Sequence, residues 1–211
     1  MKKTTVIIPT YNGKNKIIHA LASLAKQTLL PDEVVIVVDG STDGTADMLK
    51  KMALYLPNCK IIEQENRGRA AVRNRGASES SSELLLFLDD DMTVPEHWVE
   101  SHCKHHDRHP GTLMSGHLVS PPILSKNDFH HYRTWLGEKW NKDIELSTTN
   151  LGPLNTPYIT ANNFSIEKTT FIKIGGFDER LRDLEDYDLA LRATQMAFDI
   201  YVDKDAYAVN A

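Results

Sequence analysis

The chain has 211 residues, 41% hydrophobic and 25% charged, enough for one globular domain with a sizeable core. A formal net charge of -5 argues against a general nucleic-acid binder. The two cysteines, Cys59 and Cys103, have no paired spacing, which argues against a disulfide framework or a zinc–thiolate site, and no apolar run approaches the ~20 residues needed to cross a bilayer.

Thr4 to Ile8 reads as a first strand, stopped by Pro9. Lys2 and Lys3 precede only the short run Val6-Ile7-Ile8, so this start is a strand and not a signal peptide, and with the cysteine usage it points to a cytoplasmic protein. After the loop Pro9-Thr10-Tyr11-Asn12-Gly13, a helix is predicted from about Lys14 to Gln27, with Ile17, Leu21 and Leu24 on one face. Pro31 bars its continuation. Glu33 to Val38 is a buried strand dense in β-branched residues, ending at Asp39-Gly40-Ser41-Thr42-Asp43-Gly44-Thr45. Glycines and small polar residues make that a tight turn into a helix, with Asp43 or Thr45 as N-cap. The helix turns Met48, Leu49, Met52 and Leu56 inward, and Cys59 to Ile62 is a third strand. Asn66-Arg67-Gly68-Arg69 then turns into a helix from about Ala70 to Ala77.

The fourth strand, Leu84 to Leu88, runs straight into Asp89-Asp90-Asp91. A continuous apolar run suits a strand buried on both faces. Three adjacent carboxylates repel, which raises the pKa of one of them unless a cation is present. Mg²⁺ or Mn²⁺ is the natural counter-ion, since both take oxygen ligands and bridge to phosphates; a solvated acidic turn is the plainer alternative.

Past Asp91, Pro95-Glu96-His97-Trp98 opens a helix to about His109. His102, His105, His106 and His109 share one face, read as a solvated surface in preference to a metal site. Leu113 to Val119 is a further strand candidate. Pro121 to Asn155 lacks periodicity apart from a helix-like stretch from about Asn127 to Trp140, with Trp135 and Trp140; it is either a lid or acceptor-binding insert, or a packed connection. Tyr158 to Ile166 reads as a strand carrying Asn162 and Asn163 midway, Gly175 to Asp178 as a turn, and Asp199 to Val202 as a last strand. Glu185 and Asp186 open a helix whose buried stripe is Leu189, Ala193 and Met196; acids there either cap the helix or serve chemistry.

Four strand–helix alternations within the first half predict an α/β fold: a mostly parallel central sheet flanked by helices. Such sheets bind ligands outside the carboxyl ends of their strands. The loops at that edge hold Pro9 to Asn12, Asp39, Asn66 to Gly68 and Asp89 to Asp91. No G-x-G-x-x-G and no P-loop lysine motif is present, which disfavours dinucleotide and ATPase readings.

Six segments taken in order resemble the inverting nucleotide-sugar glycosyltransferases of family 2, with the GT-A fold: Val6 to Asn12, Val38 to Thr45, Asn66-Arg67-Gly68 with Arg73-Asn74, Phe87 to Asp91, Gly175 to Asp178, and Glu185 to Leu189. The resemblance implies a single domain over residues 1–211. Its nucleotide-binding half would be about 1–95 and its acceptor and catalytic half about 96–211. It implies a Mn²⁺- or Mg²⁺-dependent transfer of a sugar, from a UDP-sugar in the first instance, to an acceptor hydroxyl on a glycan, lipid-linked or protein acceptor, in polysaccharide synthesis, in the cytoplasm or at the inner face of the membrane. Pro9, Thr10, Tyr11 and Asn12 would line the base and ribose, and Asp39 would accept from the base. Gly68 and Arg73 would approach the nucleotide. Asp91 would ligate the metal, Asp89 the metal or the ribose, with Asp90 beside them on the nucleotide. Asp186 would be the general base, and Asn162, Asn163 and Glu185 would face the donor sugar or acceptor.

Two departures from the family stand out. Val38 replaces the first of the two acids usual before Gly-Ser. The late metal-ligating histidine is missing from Ala208-Val209-Asn210-Ala211, so either Asn210 takes its place or the native chain continues. A nucleotide-sugar binding module without turnover, and a nucleotidyltransferase on a related fold, are the competing functions.

Overall fold

The structure, a computed structural model, describes residues 1–52, 58–119 and 157–210. In chain order these form β1 (Thr4–Thr10), α1 (Ile17–Leu24), β2 (Glu33–Asp39), α2 (Thr45–Met52), β3 (Cys59–Gln64), α3 (Arg69–Glu79), β4 (Leu84–Leu88), β5 (Met92–Thr93), α4 (Trp98–Arg108), β6 (Leu113–Val119), β7 (Asn163–Glu167), α5 (Lys168–Ile174), α6 (Glu185–Gln195) and β8 (Ile200–Asn210). Leu56, Trp135, Trp140 and the expected insert from Pro121 to Asn155 lie outside the described residues.

The strands form one sheet in the order β3-β2-β1-β4-β7-β6-β8-β5. The β1–β2, β2–β3, β1–β4 and β6–β8 pairings are parallel, as the strand–helix alternation demands. β7 runs antiparallel between β4 and β6, and β5 antiparallel to β8, so the sheet is mixed. The β4–β7 register sets Leu88 opposite Asn163. It thereby brings a segment from the last third of the chain to the acidic end of β4.

Alternation along the strands sorts the core into two faces. Val6, Ile8, Ile36, Leu84, Leu86 and Leu88 pack with α1, α4 and Leu49 of α2. Ile7, Leu85, Phe87, Phe164 and Ile166 pack against α3, α5 and α6. Phe87 stacks on Phe164 at 4.6 Å between ring centroids, with the Phe177 ring edge-on at 5.6 Å. Each such ring contributes roughly 1.5–3 kcal/mol by leaving water.

Several expected boundaries move, each for a local reason. The first helix shortens to Ile17–Leu24. Its start is a turn in which Lys16 and Ile17 donate to the Gly13 carbonyl, and its end tightens where Lys26 donates to Ser23 and Gln27 to Leu24. The strand expected from Tyr158 begins only at Asn163, because the Asn163 N–H donates back to Thr160 in a turn. The last strand is longer than Asp199 to Val202 and reaches Asn210, where it meets Met92 of β5. No described helix is long and apolar enough to cross a membrane.

Candidate active site

The carboxyl ends of β1, β2, β3 and β4 open on one edge, which the N-terminus of α6 joins. The loop after β1 is tied to the loop after β2. Asn12, at φ 50°, accepts from the Thr42 N–H at 2.8 Å and donates its own N–H to Ser41 Oγ at 2.9 Å. The Lys14 N–H donates to Asp43, and Thr45 donates to it from both N–H and Oγ1. The Thr45 hydroxyl, ahead of the backbone N–H groups, holds the Asp43 carboxyl below the usual range. Tyr11 is 54% exposed, so its ring is open to a planar ligand, whereas Pro9 stays within β1.

Asp39 is buried, and three donors hold its carboxylate. Oδ1 accepts from Gln64 Nε2 at 2.7 Å and the Arg67 N–H at 2.9 Å; Oδ2 accepts from the Gly68 N–H at 3.0 Å. Gly68 adopts φ 88°, a conformation open to glycine, which aims its N–H at that oxygen. Asp39 thus fixes the loop leading into α3, and base recognition would use the lone pair left on Oδ2.

The three acids after β4 diverge. Asp90 turns into the protein and accepts from Thr10 Oγ1 at 2.6 Å, so neither side chain reaches the cleft as the sequence suggested; the buried end of β1 supplies the hydrogen-bond donor. Burial pushes the Asp90 carboxyl up. Thr10 and Lys16 pull it back, and the charges of Asp91 and Asp89 add to the rise. Asp89 and Asp91 stay partly exposed. Asp91 has no hydrogen-bond or ion-pair partner among the described residues, and Asp89 uses only Oδ1, toward Arg73. The main chain of Asp89 donates to the Asn162 carbonyl at 3.2 Å. The side-chain Oδ1 of Asn162 is buried without a partner.

This donor set suits a hard divalent cation. Two carboxylates with free oxygens sit at one strand end, and such ions take one or two carboxylates plus phosphate and water. Among the described residues no group of three or more His, Cys, Asp or Glu could hold a metal alone, so phosphate oxygens would complete the shell. Asn210 pairs with Met92, the residue after Asp91, and so ends beside these acids.

Arg73 also departs from expectation. Its guanidinium is buried, with Nη2 donating to Asp89 at 2.7 Å and Nη1 to Glu185 at 2.8 Å, so it is already held by two carboxylates. Burial opposes its charge, but Asp89, Glu185 and Asp186 outweigh that and raise its pKa. Glu185 is likewise buried against Arg73 and is not presented to an acceptor. Asp186, the next residue, is half-buried. Its Oδ2 accepts from the Ala161 N–H at 3.3 Å and its Oδ1 from the Tyr187 N–H at 2.8 Å. The residue before them, Leu184, is 68% exposed with φ 63°.

Asn163 does not belong to the cleft. It is fully buried, accepting from Trp98 Nε1 at 2.9 Å and donating to the Ala206 and His117 carbonyls at 2.9 and 3.3 Å, which occupies its amide. The structure adds two residues that spacing did not reveal. Tyr158 is near enough to the candidate base that its phenol is pushed up first by burial and then by the Asp186 charge. Lys16 is near enough to Asp90 for its charge to pull that carboxyl down. Only the turns ahead of α1 and β7 bring these two near the acids, and neither turn has a periodic signature.

The family model for glycosyl transferase family 2 matches residues 5–175. Glycosyltransferase GlyA of Streptococcus pneumoniae serotype 4 is 34% identical over 142 residues, which are 67% of this chain and 20% of that protein. The crystal structure of Staphylococcus aureus TarS 1-349 with UDP-GlcNAc superposes at TM-score 0.76 with 23% identity, over 99% of this chain and 59% of that one. The mannosyltransferase PcManGT of Pyrobaculum calidifontis, solved with GDP-Man and Mn²⁺, superposes at 0.77 with 22% identity, over 100% of this chain and 57% of that one. This chain spans less than two thirds of each of these proteins, and the structural matches establish a GT-A-type fold. With that sheet, that acidic strand end and a family match over most of its length, the chain belongs to glycosyl transferase family 2.

Proposed function

We propose that this chain carries a sugar from a nucleoside-diphosphate donor to an acceptor hydroxyl in one inverting displacement. The observation that carries the reading is the Arg73 side chain, which ties Asp89, at the end of β4 and two residues from Asp91, to Glu185, at the start of α6 and next to Asp186. Asp186 takes the proton from the acceptor O–H. The freed oxygen forms its bond to the anomeric carbon as the bond to the diphosphate oxygen breaks, and that electron pair leaves with the diphosphate. A positioned base of this kind contributes typically ~10²–10⁴-fold. A divalent cation held by Asp91 and the free oxygen of Asp89 would offset charge on the departing diphosphate.

Tyr11 and Asn12 face the base and ribose, Gly68 lets the backbone approach them, and the buried, unpaired side-chain oxygen of Asn162 would find its partner in the donor sugar or the cation. The state of Asp39 favours uracil over guanine. Oδ1 already accepts twice and Oδ2 once, leaving one lone pair for one ring N–H. Uracil offers a single N–H on its pairing edge, whereas guanine offers two adjacent donors. The acceptor would be a glycan, lipid-linked or protein hydroxyl, in polysaccharide synthesis in the cytoplasm or at the inner membrane face, with residues 1–211 acting as one domain.

The test is a screen of UDP-, GDP- and dTDP-sugars with Mn²⁺ or Mg²⁺, first for thermal stabilisation and then for transfer to saccharide and lipid-linked acceptors, with NMR of the product anomer. Stabilisation by UDP-sugars and an inverted product are expected. Retention of configuration, or donor binding that never leads to transfer or hydrolysis, overturns the assignment.

A further inference from the structure

Arg73 lies at the junction of the two halves of the site, 4% exposed, and is tied to both. Nη2 reaches Asp89 Oδ1 at 2.7 Å and Nη1 reaches Glu185 Oε1 at 2.8 Å, with a longer contact of 3.4 Å from Nη1 to the Arg69 carbonyl. The two carboxylates are 5% and 30% exposed, Glu185 the deeper. Glu185 immediately precedes the candidate base, and Asp89 is two residues from Asp91. A guanidinium is a planar fork with fixed angles between its donors, so holding both partners fixes their separation; an ammonium is a compact point charge and fixes none. Both terminal nitrogens are committed to carboxylates, and the one nitrogen without a hydrogen-bond partner, Nε, is buried and so not open to a phosphate in the cleft.

We propose that Arg73 is a positioning residue: by bridging Asp89 and Glu185 it sets the placement of the diphosphate-binding acids relative to the base Asp186, without touching the nucleotide. The inference rests on the transferase reading for the identity of the base, and on the geometry alone for the bridge. It gives Glu185 a role at a distance. Glu185 anchors the far side of Arg73, so its loss is felt at Asp89, on the other side of the bridge.

The test is a double-mutant cycle on UDP binding in the presence of Mn²⁺, by calorimetry, with melting temperatures alongside. Arg73→Lys keeps the charge and removes the fork; Glu185→Gln keeps the shape and removes the anchoring charge. Each is expected to weaken Mn²⁺-dependent UDP binding about tenfold, and the double variant little more than either single one, because coupled residues are non-additive. A direct contact from Arg73 to phosphate predicts instead that Glu185→Gln leaves affinity unchanged and that the effects multiply; that result overturns the proposal. Lower melting temperatures with unchanged affinities in all three variants reduce Arg73 to a packing role and overturn it as well. In turnover, Arg73→Lys at saturating donor should lose roughly 10²-fold in kcat, the scale of an ångström-level misplacement. A wild type that binds UDP with Mn²⁺ yet transfers nothing removes the transferase reading, while the binding cycle still decides the bridge. A wild type that binds no nucleotide removes both.

Discussion

A methyl group at Gly13 would lie 2.2 Å from both Asp90 Oδ2 and Thr10 Oγ1, inside their own hydrogen bond. Gly13→Ala therefore forces that pair apart, and urea unfolding should show a loss of about 1–3 kcal/mol, the usual scale of overpacking. Unchanged stability would mean the turn ahead of α1 yields freely. At Asp186, capping and catalysis predict different phenotypes. Leu184 is the N-cap, and Asn keeps the size of Asp186 and an oxygen that accepts from a backbone N–H, so Asp186→Asn should keep the melting temperature and UDP affinity. As the lost proton acceptor it should reduce transfer by the ~10²–10⁴-fold typical of a general base; near wild-type turnover would place the base elsewhere. Asp89, Asp91 and Asp186 are candidates that sequence can name, because an apolar run ending in acids, and acids opening a helix, leave a mark in it. The direction of a side chain leaves none. Asp90 lies between two exposed acids yet faces Thr10, and Asn163 follows Asn162 yet fills a buried slot under Trp98.

Helix α4 holds the largest misjudgement at the scale of an element. Its evenly spaced histidines suggested a solvated stripe, but His102 and His106 are fully buried, both on the Ser165 hydroxyl of β7, at 2.7 and 2.8 Å. Histidine serves as a core residue here because the serine offers each ring a partner in the neutral state. Burial, with the charge of His105 adding, drives His102 down to about 3, and His106 moves the same way. The unfolded chain then binds more protons than the folded one below the ordinary histidine value of 6.5. Stability is fully present above that value and declines as the pH falls toward 3. At pH 5 the His102 contribution alone is roughly 2 kcal/mol. Urea midpoints at pH 7 and pH 5 should show the loss, and His102→Asn should reduce it; an undiminished slope would assign the acid sensitivity to other groups, His106 and the carboxylates among them. The elements that sequence did not reveal are the short ones. β5 has two residues and α5 seven, too few for a period to repeat.

At the scale of the whole molecule, the described strands form one sheet that both halves of the chain share. One core cluster runs from Val6 to Ala208, and β4 pairs with β1 on one side and β7 on the other. The α/β character followed from strand–helix alternation, but the antiparallel placement of β7 did not, since a strand's partner is set by contacts far along the chain. Thermal unfolding followed by far-UV circular dichroism and by tryptophan fluorescence should give coincident single transitions. Two separated transitions would mean that the halves fold independently after all. UDP with Mn²⁺ at about 100 times its Kd should add about 2.7 kcal/mol to that single transition if the ligand binds only the folded state.

The antiparallel seat of β7 also has a consequence for the newborn chain. β1 to β4 leave the ribosome first and can pair at once, but the open side of β4 waits for β7, roughly 75 residues later. At about 5–20 residues per second that wait lasts on the order of 4–15 s. Throughout it, a wholly apolar strand carries an unpaired edge, a template for neighbouring nascent chains on the same polysome. The buried charge of Arg73 likewise lacks Glu185 until a segment 112 residues further on has been made. Synthesis of this protein thus passes through an interval of exposed stickiness that its finished form no longer shows, and expression yield should depend on holdase chaperones more than the stability of the native state implies.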